Sequence, residues 1–294
     1  MFPTGRQRIL RATTATLSWQ PLDSDGDQNA DPGTVTLGVT SSDGSTVVAA
    51  GTATSGSSTS ARTYALTAAQ TSALDVLTAT WKVGSTTVAE TMHDIVGGFY
   101  CTTAEIRDRE PSTADGSRDV TSQLVKVRNE VECLIESACG GSSFVPRFST
   151  YGRQVVRAAV LTLPQRWLRA VRWLTVWSSN TSSTSFSAAD CAAMPADPAG
   201  IVRLPYAVTG YVEIGYEHGL DAPPLDLKRA AITAMRAGQH AQRSGIPDRA
   251  TSMQLPDGGS VTLATPGARR QWHTGIPAVD EVLMRYDVTV PGIG

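Results

Sequence analysis

Carboxylates at alternate positions are the sharpest chemical signal in the chain. Asp23, Asp25 and Asp27 run through the loop Asp23-Ser24-Asp25-Gly26-Asp27-Gln28-Asn29-Ala30-Asp31, and acids spaced in this way can converge on calcium. The pattern is incomplete. Gln28 stands where a calcium loop needs glycine, and Thr34 where it needs a bidentate acid. The plainer reading is an inter-strand loop built of Asx-turns. Glu217-His218 is the one adjacent acid–imidazole pair. Neighbours on an extended chain point to opposite sides, so the two are not expected to share a site. The remaining histidines, His93, His240 and His273, are scattered. Phosphate-loop, dinucleotide, zinc-protease and nucleophile-elbow motifs are missing. No catalytic residue and no cofactor is therefore predicted, and the three aspartates stand as the metal candidate.

One charge feature survives this search. Between Glu136 and Asp190 the chain has no acidic residue but six arginines: Arg147, Arg153, Arg157, Arg166, Arg169 and Arg172. Trp167, Trp173 and Trp177 are interleaved with them. The strip faces an acidic partner or nucleic-acid phosphate, or else it is a solvated strand face whose arginines pair with acids of their own domain. Both readings stay open, because arginine outnumbers lysine 22 to 3 along the whole chain. The net charge of −2 gives no global pull toward nucleic acid or anionic lipid. No apolar run approaches the ~20 residues of a membrane helix, and Met1 to Arg6 lack the apolar core of a signal peptide. No membrane partner is expected. Cys101, Cys133, Cys139 and Cys191 have no ligand-like spacing and read as free thiols of a reducing compartment.

The elements that must carry these residues follow from periodicity. Alternating apolar positions at Ala15/Leu17/Trp19, Val35/Leu37/Val39, Tyr64/Leu66 and Leu77/Ala79/Trp81/Val83 predict short strands. Asp43-Gly44 and Gly84-Ser85 supply turns between them. Residues 1–97 are accordingly expected to form an immunoglobulin-like β-sandwich, with Gly97-Gly98 as the hinge out of it. Beyond the hinge the period changes. Thr102 to Glu105 form a capping box. Val120, Leu124, Val127, Val131, Leu134 and Ala138 trace a helical stripe over about 119–139, with Lys126/Glu130 and Arg128/Glu132 on its wet side. Strands are expected over about 153–217 and a hairpin at 252–264, with Ser178–Ser187 as a polar loop. A helix over 224–244 shows a small-residue stripe of Leu227, Ala231, Ala234, Met235, Gly238 and Ala241, which predicts close packing on the first long helix. A last helix over 277–286 gathers Val279, Val282, Leu283 and Tyr286 on one face. Too short to be stable alone, it must dock on its own domain, on a partner or on the next subunit. The fold class is α+β multidomain, with residues 98–294 as the second domain.

The order of elements carries a resemblance. Tyr211 to Ala230 reads as a strand ending in Tyr216-Glu217-His218-Gly219, then Pro223-Pro224 opening a helix. This resembles the signature of head-to-tail connector (adaptor) proteins of long-tailed bacteriophages, those of actinobacterial phages most of all. Ile246-Pro247-Asp248-Arg249-Ala250 before the hairpin, and Gly275-Ile276-Pro277 through Arg285-Tyr286, are similar to the family's downstream pattern. Leu134 to Arg147, with Cys139-Gly140 and Phe144-Val145-Pro146-Arg147, is similar to its upstream helix exit. The resemblance spans about residues 98–290. It implies a non-enzymatic virion protein, assembled in the host cytoplasm. Such proteins form a dodecameric ring between the portal protein and a tail-side neck or terminator protein, and the ring continues the DNA channel. In that setting the arginine strip meets channel DNA or a neighbouring protein, and Val279, Val282, Leu283 and Tyr286 form a second interface. Residues 1–97 go beyond the family pattern. The alternative from another class is a calcium-dependent carbohydrate- or surface-binding β-sandwich module centred on Asp23, Asp25 and Asp27.

Overall fold

Burial alternates along the strands and follows a single stripe on each long helix, and this decides where every element goes. The computed structural model describes residues 6–21, 33–56, 61–108, 121–179, 181–243, 252–254, 260–262, 274 and 276–286; for 153–158, 239–243, 252–254 and 260–262 it describes backbone alone. In chain order the first strands are β1 (Gln7–Leu10), β2 (Ala15–Trp19), β3 (Val35–Thr40), β4 (Thr46–Ala53), β5 (Arg62–Leu66), β6 (Asp75–Val83) and β7 (Thr86–Val96). Helices α1 (Thr103–Asp108) and α2 (Thr121–Ala138) follow, then β8 (Arg147–Thr162), β9 (Leu168–Ser179), β10 (Ser182–Ser185), α3 (Ala188–Ala193) and β11 (Ile201–His218). Last come α4 (Leu225–Arg243), β12 (Ser252–Gln254), β13 (Ser260–Thr262) and α5 (Pro277–Tyr286). The fold is mixed α+β, mostly sheet, with five helices among the described residues. None of those helices is long and apolar enough to cross a membrane.

The chain divides into two compact units, Met1–Gly98 with Val145–Asp221, and Phe99–Phe144 with Ala222–Gly294. A division at 97 would keep 145–221 with the helices; those residues cluster with 1–98 instead. The physical reason is local. Gly97 N–H donates to Pro146 O (2.9 Å), and Arg147 Nη1 to Gly98 O (2.7 Å). The two glycines are thus stitched to the start of β8, not strung out as a free linker.

In the first unit a five-stranded sheet, ordered β1-β7-β6-β3-β4, and a two-stranded β2-β5 sheet share one core. Leu17, Val35, Leu37, Val39, Leu66, Leu77, Ala79 and Trp81 are buried in it, as the sequence alternation requires. A second, four-stranded sheet is ordered β10-β9-β11-β8. Its strands β8 and β11 run antiparallel from Arg147↔His218 to Thr162↔Ile201, with register shifts between Arg203 and Gly210. Pro205 and Gly210 sit where the ladder slips, which is where a long strand tolerates them. Beyond the slip, Val202, Leu204 and Leu161 share one core with Val212, Ile214 and Leu174, together with Cys191 of α3. Helix α3 was not expected. Its signal is a capping box, with Ser187 Oγ accepting from Asp190 N–H and Asp190 answering to the Ser187 N–H. The stretch expected to be a polar loop supplies strand β10.

The second unit is helical. Thr102 N–H reaches Glu105 Oε2 (2.9 Å) and Glu105 N–H reaches Thr102 Oγ1 (3.1 Å), the capping box read from sequence. Helix α4 packs on α2, close enough that a Cβ on Gly238 would touch Val127 Cγ1. One expectation is corrected here. Arg128 and Glu132 are buried, not wet. Glu132 Oε1 accepts the Tyr100 N–H (2.7 Å), and the Arg128 guanidinium lies 3.4 Å from the centroid of the Phe99 ring.

Candidate functional site

The strand end of the signature segment is built first by alternation. On β11, Val212, Ile214, Tyr216 and His218 are buried, while Tyr211, Glu213 and Glu217 take the other face. Glu217 and His218 therefore point apart. His218 Nε2 lies 3.0 Å from Ser149 Oγ, and Glu217 Oε1 accepts from Arg172 Nη1 at 2.8 Å. Tyr216 is fully buried; its hydroxyl donates to Gln165 Oε1, and burial pushes its ionisation far above the usual phenol range. Gly219 has φ +102°, a backbone conformation that a side chain would strain. Its N–H donates to Trp167 O (3.0 Å). Trp167 itself holds φ +57°, an outlier for so bulky a residue. Its own N–H is bonded to Pro198 O (2.9 Å). Ser149, Gln165 and Trp167 carry no motif, so sequence reasoning missed them. The positive φ of Trp167 has no sequence signal at all.

The arginine strip does not form one surface. Arg147 is 6% exposed and holds the Gly98 carbonyl. Arg169 Nη1 pairs with Asp221 Oδ1 (2.7 Å), and Arg172 with Glu217. Arg166 is exposed in the turn between β8 and β9. Arg153 lies opposite Val212 in the β8–β11 register, and Arg157 follows on the same strand; their side chains lie outside the described residues. Two of the interleaved tryptophans, Trp173 and Trp177, lie on the face of the sheet opposite its core, and Trp167 lies in the turn before β9. Trp177 Nε1 donates to Glu213 Oε2 (3.0 Å) and Trp173 Nε1 to Ser42 Oγ (3.4 Å).

The apolar face of α5 is largely spent within its own unit. Val279 and Leu283 are fully buried in a helix that packs on α4. Val282 and Tyr286 are half-buried. Tyr286 packs edge-on to Phe144 with centroids 5.1 Å apart, and its hydroxyl donates to Asp226 Oδ1 (2.8 Å). Burial first, then that bond to a carboxylate, raises its ionisation.

Asp23, Asp25 and Asp27 lie outside the described residues. Among the described residues, no group of three acids, histidines or cysteines is placed to hold a metal. The four cysteines are free thiols. Burial, with Glu132 beside it, pushes the Cys101 thiol up to about 12, so it is inert as a nucleophile at neutral pH.

No family model matches the chain, and no curated protein matches it. Among solved structures it is similar to a chain in the neck of an empty GTA particle, computed with C6 symmetry. The identity is 17% and the TM-score 0.40, over 51% of this chain and 83% of that one.

Proposed function

We propose that this chain is a structural subunit of a virion neck, a head-to-tail connector that assembles into a ring, dodecameric by the resemblance, between the portal and a tail-side neck or terminator protein. The observation that carries this reading is how the signature segment is used. Its strand end is locked inside the first unit through Tyr216–Gln165, His218–Ser149 and Gly219–Trp167. Its helix, α4, supplies Leu227, Ala231 and Met235 to the core of the second. Residues deployed in this way are architectural, and architecture is what the connector resemblance implies. The immunoglobulin-like sandwich within residues 1–97 is then a decoration on a connector body, and the ring continues the DNA channel.

The test is assembly. Purified protein is examined by sedimentation velocity and negative-stain electron microscopy, alone and after mixing with portal protein. A closed ring, formed spontaneously or on contact with portal, is the expected result. A monomer that ignores the portal at every concentration tried sinks the proposal.

A further inference from the structure

The order of the second sheet, β10-β9-β11-β8, puts β10 at one margin and β8 at the other, and among the described residues no further strand lies along either. Edge strands offer rows of open N–H and C=O groups, which proteins usually guard. The first sheet shows such a guard on its edge strand β4. There the ladder slips against β3, and Gln70 Nε2 donates to Val47 O (3.3 Å). Strand β10 is different. Ser182–Ser185 holds no charge and no proline, and all four residues are exposed. Among the described residues, nothing beyond the β9 ladder bonds the main chain of Ser183, Thr184 or Ser185. At the other margin, Gly152 of β8 is exposed as well.

The two margins fit each other. Ser183 is level with Gln154 through Trp177 and Tyr211, and Ser185 is level with Gly152 through Thr175 and Glu213. Every neighbouring pair in the sheet is antiparallel, so with four strands the two margins run in opposite directions. A second copy set beside the first, same face up, brings its β10 antiparallel to β8, and the rows continue across the joint. Bulk fits too. A Cβ on Gly152 would collide with the Tyr211 hydroxyl, so the phenol lies over β8 at its margin, where the small Ser183 and Ser185 come alongside. We propose that subunits join head to tail through this sheet: Gly152–Gln154 of β8 in one copy pairs with Ser183–Ser185 of β10 in the next. The inference rests on the connector reading in one respect. A ring of more than two subunits needs an interface between unlike surfaces, and this selects β8 on β10 over a two-fold pairing of β8 on β8. Three residues a side set register and direction; they are one part of an interface that for a stable assembly runs to about 800 Å² per partner.

The test is a cysteine pair in the full chain. Straight continuation of the rows sets Gln154 opposite Ser183 of the next copy, with Cα atoms about 4.5–5.5 Å apart, within disulfide reach. The double variant Gln154→Cys/Ser183→Cys, assembled and then oxidised, should run as a ladder of multimers on a non-reducing gel, while each single variant is no more cross-linked than wild type. Hydrogen exchange on the wild type gives a second reading, which stands on its own if the double variant fails to assemble. Amides within 152–154 and 183–185 should exchange roughly tenfold or more slowly in the assembly than in the free subunit. A wild-type ring whose edge amides exchange as fast as in the free subunit overturns this joint and leaves the connector reading standing, as does an assembled double variant without a multimer ladder. A dimer from Gln154→Cys alone overturns it in favour of a two-fold contact. Cross-linked multimers that never close keep the joint and sink the ring. A wild type that stays monomeric in every condition overturns both.

Discussion

His93 should make the first sheet acid-labile well above the pH at which carboxylates titrate. It sits on the core-facing side of β7, opposite Leu77, and is 4% exposed. Trp81 Nε1 donates to Thr91 Oγ1 (3.1 Å), and that hydroxyl lies 2.9 Å from His93 Nε2. An indole N–H can only donate, so it takes one lone pair of the threonine hydroxyl; the hydroxyl proton and the second lone pair are both left to face Nε2, and the ring keeps this contact in either tautomer. Burial lowers its pKa from 6.5 to about 4. The unfolded chain then binds a proton that the folded one refuses, so stability is complete above pH 6.5 and is lost as pH falls toward 4. From those two values the loss is about 2 kcal/mol at pH 5 and about 3 kcal/mol at pH 4. The assay is urea unfolding followed by circular dichroism, at pH 7, 6 and 5, on wild type and on His93→Gln, which keeps an acceptor for Thr91 but does not titrate. The variant should lose much less stability than wild type between pH 7 and 5. Equal losses in the two proteins would refute the reasoning.

Two further outcomes follow from packing. Gly97→Ala places a Cβ 2.6 Å from Pro146 Cβ, which costs about 1–3 kcal/mol through overpacking; a thermal melt unchanged from wild type would show that the Gly97–Pro146 approach is not tight. Leu283→Ala removes a fully buried side chain and should cost about 2–5 kcal/mol, read as a lower urea midpoint in the unassembled subunit. A variant of unchanged stability that fails to assemble would put Leu283 at a subunit contact instead.

Much of the first sheet was legible because burial there is one-sided. Leu37, Val39, Leu77 and Trp81 alternate with Thr and Gly, and a period of two leaves one answer. The capping box at Thr102–Glu105 was equally local. What escaped was whatever depends on distant partners. The i, i+4 spacing of Arg128 and Glu132 suits a solvated pair, yet both are buried, because the backbone N–H of Tyr100 and the ring of Phe99 supply what water would have. Gly97-Gly98 looked like a linker by composition, and only Pro146 and Arg147, some fifty residues on, reveal it as a stitched crossing. Ser149 and Gln165, which hold His218 and Tyr216, have no spacing rule tying them to the signature.

The arginine strip and the signature segment prove to be two halves of one structural device. Arg169 reaches Asp221, and its Nη1 also lies 3.5 Å from Gly219 O; Arg172 reaches Glu217. All three partners sit within the five residues 217–221, which close β11 and lead out of the first unit. Asp221 is 87% exposed and Arg172 44%, so each pair is worth well under 1 kcal/mol once water and salt screen it. Their contribution is geometric. A guanidinium fork fixes direction as well as distance, and here β9 uses it to aim the exit of β11 where Gly219, already in a glycine-only conformation, must turn. That account absorbs Arg147, Arg169 and Arg172 into the body of the first unit. The six arginines that the sequence placed together are therefore not one surface kept for an acidic partner, since three of them are held by groups of their own unit.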